Sequence, residues 1–308
     1  MHSSAPRVSI IPKPTPTLVS AIESAGGSVI DLSEETQGII VDFAAVPRDL
    51  SEALESYPQI TWVQLPSAGI EAFSSSIAAH QDIIWTSAKG AYAKPVAEHA
   101  LALTLALLRD LPQRVRATSW GKPAGISLHG LNVTIIGAGG VALEILRLMK
   151  AFDTNVTMIR RQAIDVPGAD RTFNLAELER ELPTTDVLIV AAALTPGTRS
   201  IIAARELELL PDTSIIVNIA RGGLIDTQAL THALQNKTIA GAALDVTDPE
   251  PLPDGHPLWS QDNALITPHS ADTMEMIVPL LAERVHENVK NLGNDRQLVG
   301  LVDAEAGY

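Results

Sequence analysis

The sequence predicts an α/β fold: two doubly wound parallel-sheet domains, the second inserted into the first. Three observations carry this. Short apolar, β-branched runs alternate with segments of helical periodicity along most of the 308 residues, the pattern of open parallel sheets. A second such series restarts at Leu131, after a long apolar segment. A last helical segment, Thr273 to Lys290, then carries the chain back after the final strand. The expected division is residues 1–96 with 272–308 for the outer domain and 97–271 for the inserted one.

The elements follow in order. Arg7 to Pro12 reads as a first strand, and Leu18 to Ala25 as a helix stopped by Gly26 and Gly27. Strands are expected at Val29–Leu32, Gly38–Val41, Ile60–Leu65 and Ile83–Ser87. Arg48 to Ser56 reads as a helix, with Pro47 suited to its start. From Val96 to Leu111 the residues are apolar nearly all round, so this helix must be covered on every side. That means a central helix or an interface between domains or subunits. Its place before a new βαβ series favours the interface. Arg114, Arg116 and Lys122 follow in a turn-rich stretch that reads as a solvated arm. The second series has strands at Asn132–Ile136, Asn155–Ile159, Asp186–Ala191, Ser214–Ile219, Ile239–Val246 and Ala264–Thr267. Several are continuous apolar runs, which suits strands covered on both faces.

Composition narrows the function classes. Hydrophobic residues at 46% against 19% charged supply a real core and argue against disorder. A net charge of −14 argues against nucleic acid and anionic membrane as partners. An anionic substrate must therefore meet local positive groups. No cysteine is present, so thiol and disulfide chemistry are excluded. No apolar run reaches membrane-spanning length and the start shows no apolar signal core, so a cytoplasmic protein is expected.

The stretch Leu131 to Met149 carries the first chemistry. An apolar run ends at Gly137, breaks again at Gly139 and Gly140, and resumes at helical spacing with Val141, Ile145, Leu148 and Met149. Strand, glycine turn and helix together form the setting of a dinucleotide-binding fingerprint. Gly137 permits the tight turn, and Gly139 lets the backbone approach a pyrophosphate. The helix N-terminus offers N–H groups to that anion. Ala142 takes the place of a third glycine. The next strand runs into Arg160 and Arg161, with no carboxylate before Asp165. An acidic residue there would hydrogen-bond an adenosine ribose diol and repel a 2′-phosphate. Two arginines instead predict NADP(H) over NAD(H).

Three later segments add to this. Val217 to Asp226 sets Arg221 just past a strand end, where open α/β sheets bind ligands. Ala243 to Leu252 holds Asp245 and Glu250, and Leu265 to Ser270 presents His269 behind Pro268. An Arg, a Glu and a His at three strand ends suit hydride transfer to a carbonyl. The histidine would protonate the oxygen, the glutamate would favour its charged form, and the arginine would anchor the substrate.

With these residues in order, the chain resembles the D-isomer-specific 2-hydroxyacid dehydrogenases, which include glyoxylate/hydroxypyruvate reductases and phosphoglycerate dehydrogenases. The resemblance covers almost the whole chain: Gln64 to Glu71, Lys89 to His99, Asn218 to Gly223, Leu244 to Val246 with Glu250-Pro251, and Thr267 to His269. It implies a Rossmann cofactor domain inserted into a flavodoxin-like substrate domain. It also implies that Arg221 binds substrate, that Glu250 tunes the histidine and that His269 is the acid/base. The amides around Ala68 and Gly69 would hold the substrate carboxylate, with Ala220 and Asp245 beside the cofactor. A homodimer through Val96–Leu111 and reduction of glyoxylate or hydroxypyruvate, in a cleft between the domains, follow from the same likeness.

Thr247, Ser270 and Ala193 depart from the family pattern, where an aromatic, an aliphatic and a proline are common. These changes could reshape the pocket but remove no catalytic group. His2, His80, His129, His232, His256 and His286 carry no motif and read as surface or capping residues, and His99 as structural. Tyr92 reads as core or pocket lining, and Trp259 as packing. No His, Asp or Glu cluster has metal-ligand spacing. The rival readings are a catalytically weak, nucleotide-sensing binding protein on the same fold, and a methyltransferase using the same glycine turn.

Overall fold

A computed structural model describes residues 5–303; His2 lies outside them. The chain runs β1 (Arg7–Ile11), α1 (Pro16–Ser24), β2 (Ser28–Val29), β3 (Gly38–Val41), α2 (Pro47–Ser56), β4 (Trp62–Gln64), α3 (Ser74–Ala79) and β5 (Ile84–Thr86). Next come α4 (Ala93–Leu108), α5 (Leu111–Arg114), β6 (Asn132–Ile136), α6 (Gly140–Lys150), β7 (Asn155–Arg160), β8 (Arg171–Asn174), α7 (Leu178–Glu181) and β9 (Val187–Val190). Then follow α8 (Ala204–Leu209), β10 (Ile215–Asn218), α9 (Thr227–Gln235), β11 (Gly241–Leu244), β12 (Ala264–Ile266) and α10 (Met274–Gly293). These form two compact units. One joins the residues up to 92 with those from 273 onward, and the other is residues 93–272. The fold is thus two parallel-sheet α/β domains, one inserted into the other.

The first unit has five strands in the order β2-β1-β3-β4-β5, every pairing parallel. This is the flavodoxin-like order. Pro16 and Pro47 start α1 and α2, where a missing N–H costs nothing. Leu18 and Ile22 bury one face of α1, and Ile39, Val63, Leu65 and Trp85 fill part of the core. The returning α10 completes this unit. It packs on α1, where a side chain at Gly27 would strike Val289. Buried Asn288 donates from Nδ2 to Gln64 Oε1 at 2.8 Å and accepts from the Val299 amide at 2.7 Å. Arg284 donates to the Ser87 and Lys89 carbonyls at 2.9 and 3.1 Å. Burial lowers the pKa of that guanidinium, against the opposing effect of Glu287.

The second unit has seven parallel strands in the order β12-β11-β10-β9-β6-β7-β8. The chain enters at β6, winds out to β8, then crosses back to β9 and winds to the other edge. That reversal makes a topological switch point between β6 and β9, as in dinucleotide-binding sheets. Strands β9 and β10 are buried along their whole length, which explains their unbroken apolar runs. Strand β8 has no counterpart among the expected strands, because Arg171-Thr-Phe-Asn174 is an edge strand only half covered. Asp226 caps α9 by accepting from the Ala229 amide at 2.9 Å.

Helix α4 starts three residues before the expected Val96. It buries Val96, Ala97, Ala100, Leu103, Thr104 and Leu108, but Glu98 and Ala102 are exposed. The stretch after it is exposed as expected of an arm, yet carries Trp120 at 97% and Val115 at 79% exposure. Among the described residues, no helix is long and apolar enough to cross a membrane.

Candidate active site

The residues singled out in the second unit all stand at the C-terminal ends of its parallel strands. Gly137 follows β6, Arg160 ends β7, Arg221 lies three residues past β10, Asp245 follows β11 directly, and His269 lies three past β12. Parallel strands share one direction, so their C-terminal ends share one edge of the sheet.

Gly137 has φ +123°, and a Cβ there would lie 2.4 Å from the Ala191 carbonyl oxygen at the end of β9. The turn therefore closes against the strand across the switch point, and only glycine fits. Gly139 differs: a Cβ there would meet no protein atom within 4 Å. It begins α6, an eleven-residue helix with Gly140 at its first position, no side-chain cap and no acidic residue in the first turn. The uncapped amides and the open space fit a pyrophosphate. Ala142 is fully buried in the same turn of helix.

Arg160 donates to the Ile164 carbonyl at 3.1 Å, and Arg161 beside it is exposed. Among the described residues up to Asp165, that strand end carries no carboxylate.

The turn after β10 is anchored by Asn218. Its Nδ2 donates to the Arg221 carbonyl at 3.0 Å, and its Oδ1 accepts from the Ala220 amide at 3.1 Å. Arg221 itself donates to the Ala220 carbonyl at 2.8 Å. Gly222 lies hard against the next loop, since a Cβ there would sit 2.0 Å from the carbonyl carbon of Thr247. This close approach brings the arginine turn against the loop that carries Glu250.

His269 Nδ1 lies 2.6 Å from Glu250 Oε1, and both side chains are about half exposed. The histidine backbone is left-handed, at φ +50°. Its amide donates to the Asp245 carbonyl at 2.9 Å. The amides of Ser270 and Ala271 donate to Asp245 Oδ1 and Oδ2 at 2.9 and 3.0 Å, and Thr267 Oγ1 donates to Oδ1 at 2.6 Å. His99 Nε2, from α4, lies 3.3 Å from the same Oδ1 and 3.1 Å from Thr267 Oγ1. Burial pushes the Asp245 carboxyl up, but the bonds from His99, Thr267 and the two amides outweigh it and bring it down to about 2. Asp245 is thus a buried, ionised carboxylate.

Asp272 is a further acidic group near His269, Asp245 and Arg221. Burial pushes its carboxyl above the usual range, opposed by the charge of His269, reinforced by Asp245 and opposed again by Arg221. It stands outside every motif, so only the fold reveals its charged neighbours. His99 hydrogen-bonds into the His269 loop from α4, a larger part than the structural one its sequence suggests. Trp259, expected to pack, is half exposed and donates its indole N–H to the Pro253 carbonyl at 3.0 Å. His256 does cap, accepting from the Leu258 amide at 3.3 Å. Tyr92 belongs to the core of the first unit, its hydroxyl donating to the Pro66 carbonyl.

Ala68 and Gly69 lie in the first unit, in the loop after β4, where Ser67 Oγ donates to the Gly69 carbonyl at 2.6 Å. Ala68 is exposed.

Residues 101–271 match the profile described as D-isomer specific 2-hydroxyacid dehydrogenase, NAD binding domain. An uncharacterized protein in the proB 3′ region of Corynebacterium melassecola is 38% identical over 255 residues, 81% of this chain and 84% of that one. A glyoxylate reductase of Thermofilum pendens is 29% identical over 250 residues, 78% of this chain and 74% of that one. The chain spans about half the length of the archaeal D-3-phosphoglycerate dehydrogenases that it matches. The crystal structure of a D-isomer specific 2-hydroxyacid dehydrogenase from Xanthobacter autotrophicus Py2, in complex with NADPH and MES, superposes with a TM-score of 0.83 at 26% identity. It covers 99% of this chain and 100% of that one.

Proposed function

This chain belongs to the D-isomer-specific 2-hydroxyacid dehydrogenase family, and from that premise we propose that it reduces a small 2-oxo acid to the D-2-hydroxy acid. Glyoxylate and hydroxypyruvate are the leading substrates, with NADPH preferred over NADH. The observation that carries this reading is the 2.6 Å pair of His269 and Glu250 beside the Arg221 turn, on the sheet edge that bears the glycine fingerprint.

The geometry supports a role for each of these residues. Nδ1 of His269 is engaged by Glu250, so Nε2 is the nitrogen left to give a proton to the substrate oxygen. The Glu250 carboxylate holds the ring through Nδ1 and so orients it. Arg221 pairs with the substrate carboxylate and polarises the carbonyl. Ala68 and Gly69 keep the carboxylate-binding role given by the family likeness. Gly137, Gly139 and Gly140 hold the dinucleotide with the first turn of α6, and Ala220 and Asp245 flank its nicotinamide end. A bound nicotinamide supplies the hydride. The histidine then recovers its proton from water.

Two observations support the NADPH preference: the missing carboxylate at the end of β7, with Arg160 and Arg161 in its place, and the NADPH in the Xanthobacter relative. A homodimer through Val96–Leu111 is part of this reading, with the exposed Trp120 and Val115 of the arm that follows as further apolar surface for it. Nicotinamide oxidation measured across a panel of 2-oxo acids tests the reading. Turnover of glyoxylate or hydroxypyruvate is expected, and no turnover of any member would overturn it.

A further inference from the structure

The loop that presents His269 is held from outside itself. In a left-handed conformation, a non-glycine residue is costly and persists only where its surroundings over-determine it. Here the surroundings centre on one residue, Asp245. The His269 amide donates to the Asp245 backbone carbonyl, and the next two amides converge on the Asp245 carboxylate. Consecutive amides beside a left-handed residue form an anion-binding concavity. Asp245 is therefore the anion around which the catalytic loop curls.

The carboxylate is itself oriented by two side chains. Thr267 Oγ1 has one proton, and at 2.6 Å from Asp245 Oδ1 it must give that proton to a group that can only accept. The same hydroxyl can then only accept from His99. Nε2 of His99 is thus the protonated ring nitrogen, shared between Thr267 Oγ1 at 3.1 Å and Asp245 Oδ1 at 3.3 Å. His99 comes from the middle of α4, far in sequence from the loop but in the same compact unit.

We propose that His99 and Thr267 are positioning residues for the reduction: they fix the Asp245 carboxylate, and through it the backbone that aims His269 at Glu250 and the substrate. This rests on the reading of His269 as the proton donor. Neither residue touches the reacting atoms. Their effect passes through Asp245, so it falls on kcat and leaves substrate affinity in place.

The test uses the 308-residue chain with glyoxylate and NADPH. His99→Leu removes the donor, whereas His99→Gln keeps an N–H near the position of Nε2. One charge-assisted hydrogen bond is worth about tenfold or more. His99→Leu should lower kcat by roughly that factor, with KM and the NADPH Kd changed by less than about threefold, and His99→Gln should recover most of it. Thr267→Val should behave like His99→Leu, and Thr267→Ser like His99→Gln, which keeps the test alive if one variant does not fold. A second readout is independent of turnover: the long-range ¹H–¹⁵N correlations of the His269 ring, which report its bond to Glu250. They should shift in His99→Leu and return in His99→Gln. A folded His99→Leu with parental kcat and unshifted ring signals would overturn the proposal. So would a loss that His99→Gln does not repair, for that is the mark of a packing role. If the unmutated protein turns over no 2-oxo acid, the functional reading fails, and the ring signals alone then decide the positioning.

Discussion

At the scale of single residues, the site depends on charges that the surrounding structure fixes. His269→Ala should lower kcat by about 10²–10⁴ while NADPH binding stays near its original strength, since a general acid works at the transition state; single-turnover kinetics and cofactor titration separate the two. Asp245 links the site to stability. Its folded pKa of about 2 lies below the ordinary carboxylate value of 3.8, so it stabilises the fold at pH above about 4. That contribution fades as pH falls from 4 towards 2. Asp245→Asn should therefore cost about 2 kcal/mol at pH 7 in urea unfolding, with the gap to the parent narrowing across the same acid window. A gap constant with pH would show that charge is not its source. Arg160→Asp should erode or reverse the proposed preference for NADPH, read as the ratio of kcat/KM for the two cofactors. One charged contact is worth roughly 10- to 150-fold before water weakens it. Arg221, Glu250 and His269 were legible because each follows a strand within a short motif. Asp272 was not, because its neighbours come from other loops. The pairing of His99 with Thr267 was hidden by a separation of 168 residues.

At the scale of elements, the glycine turn separates two reasons for the same residue type. Gly137 is required by the protein, since its Cβ would overlap the Ala191 carbonyl. Gly137→Ala should cost roughly 2 kcal/mol or more of stability, from backbone strain and displacement of β9. Gly139 faces open space. Gly139→Ala should leave the melting temperature nearly unchanged, within about 0.5 kcal/mol, yet weaken NADPH binding by about tenfold if the pyrophosphate lies over it. Thermal unfolding alongside a cofactor titration gives both answers, and unchanged binding would move the pyrophosphate elsewhere. The same contrast explains which elements could be read from the chain. Strands covered on both faces, such as β9 and β10, announce themselves as apolar runs. Strand β8 has only one neighbour and a polar, half-exposed sequence, so nothing in its pattern marks it.

At the scale of the whole molecule, sedimentation at micromolar concentration should show a homodimer, and Trp120→Glu with Val115→Glu should shift it towards monomer if the arm is part of the interface. A parent that sediments as a monomer would contradict this. The insertion of one unit into the other was legible from two α/β series followed by a late helix, and among the described residues no strand follows α10. That helix also dictates an order of events during synthesis. A ribosome finishes residues 93–272 before it makes any of α10. Until then Gln64 and the Ser87 carbonyl lack their partners on Asn288 and Arg284. The part of the protein made first is therefore completed last, and the nascent outer unit is what protease or chaperone meets unfinished.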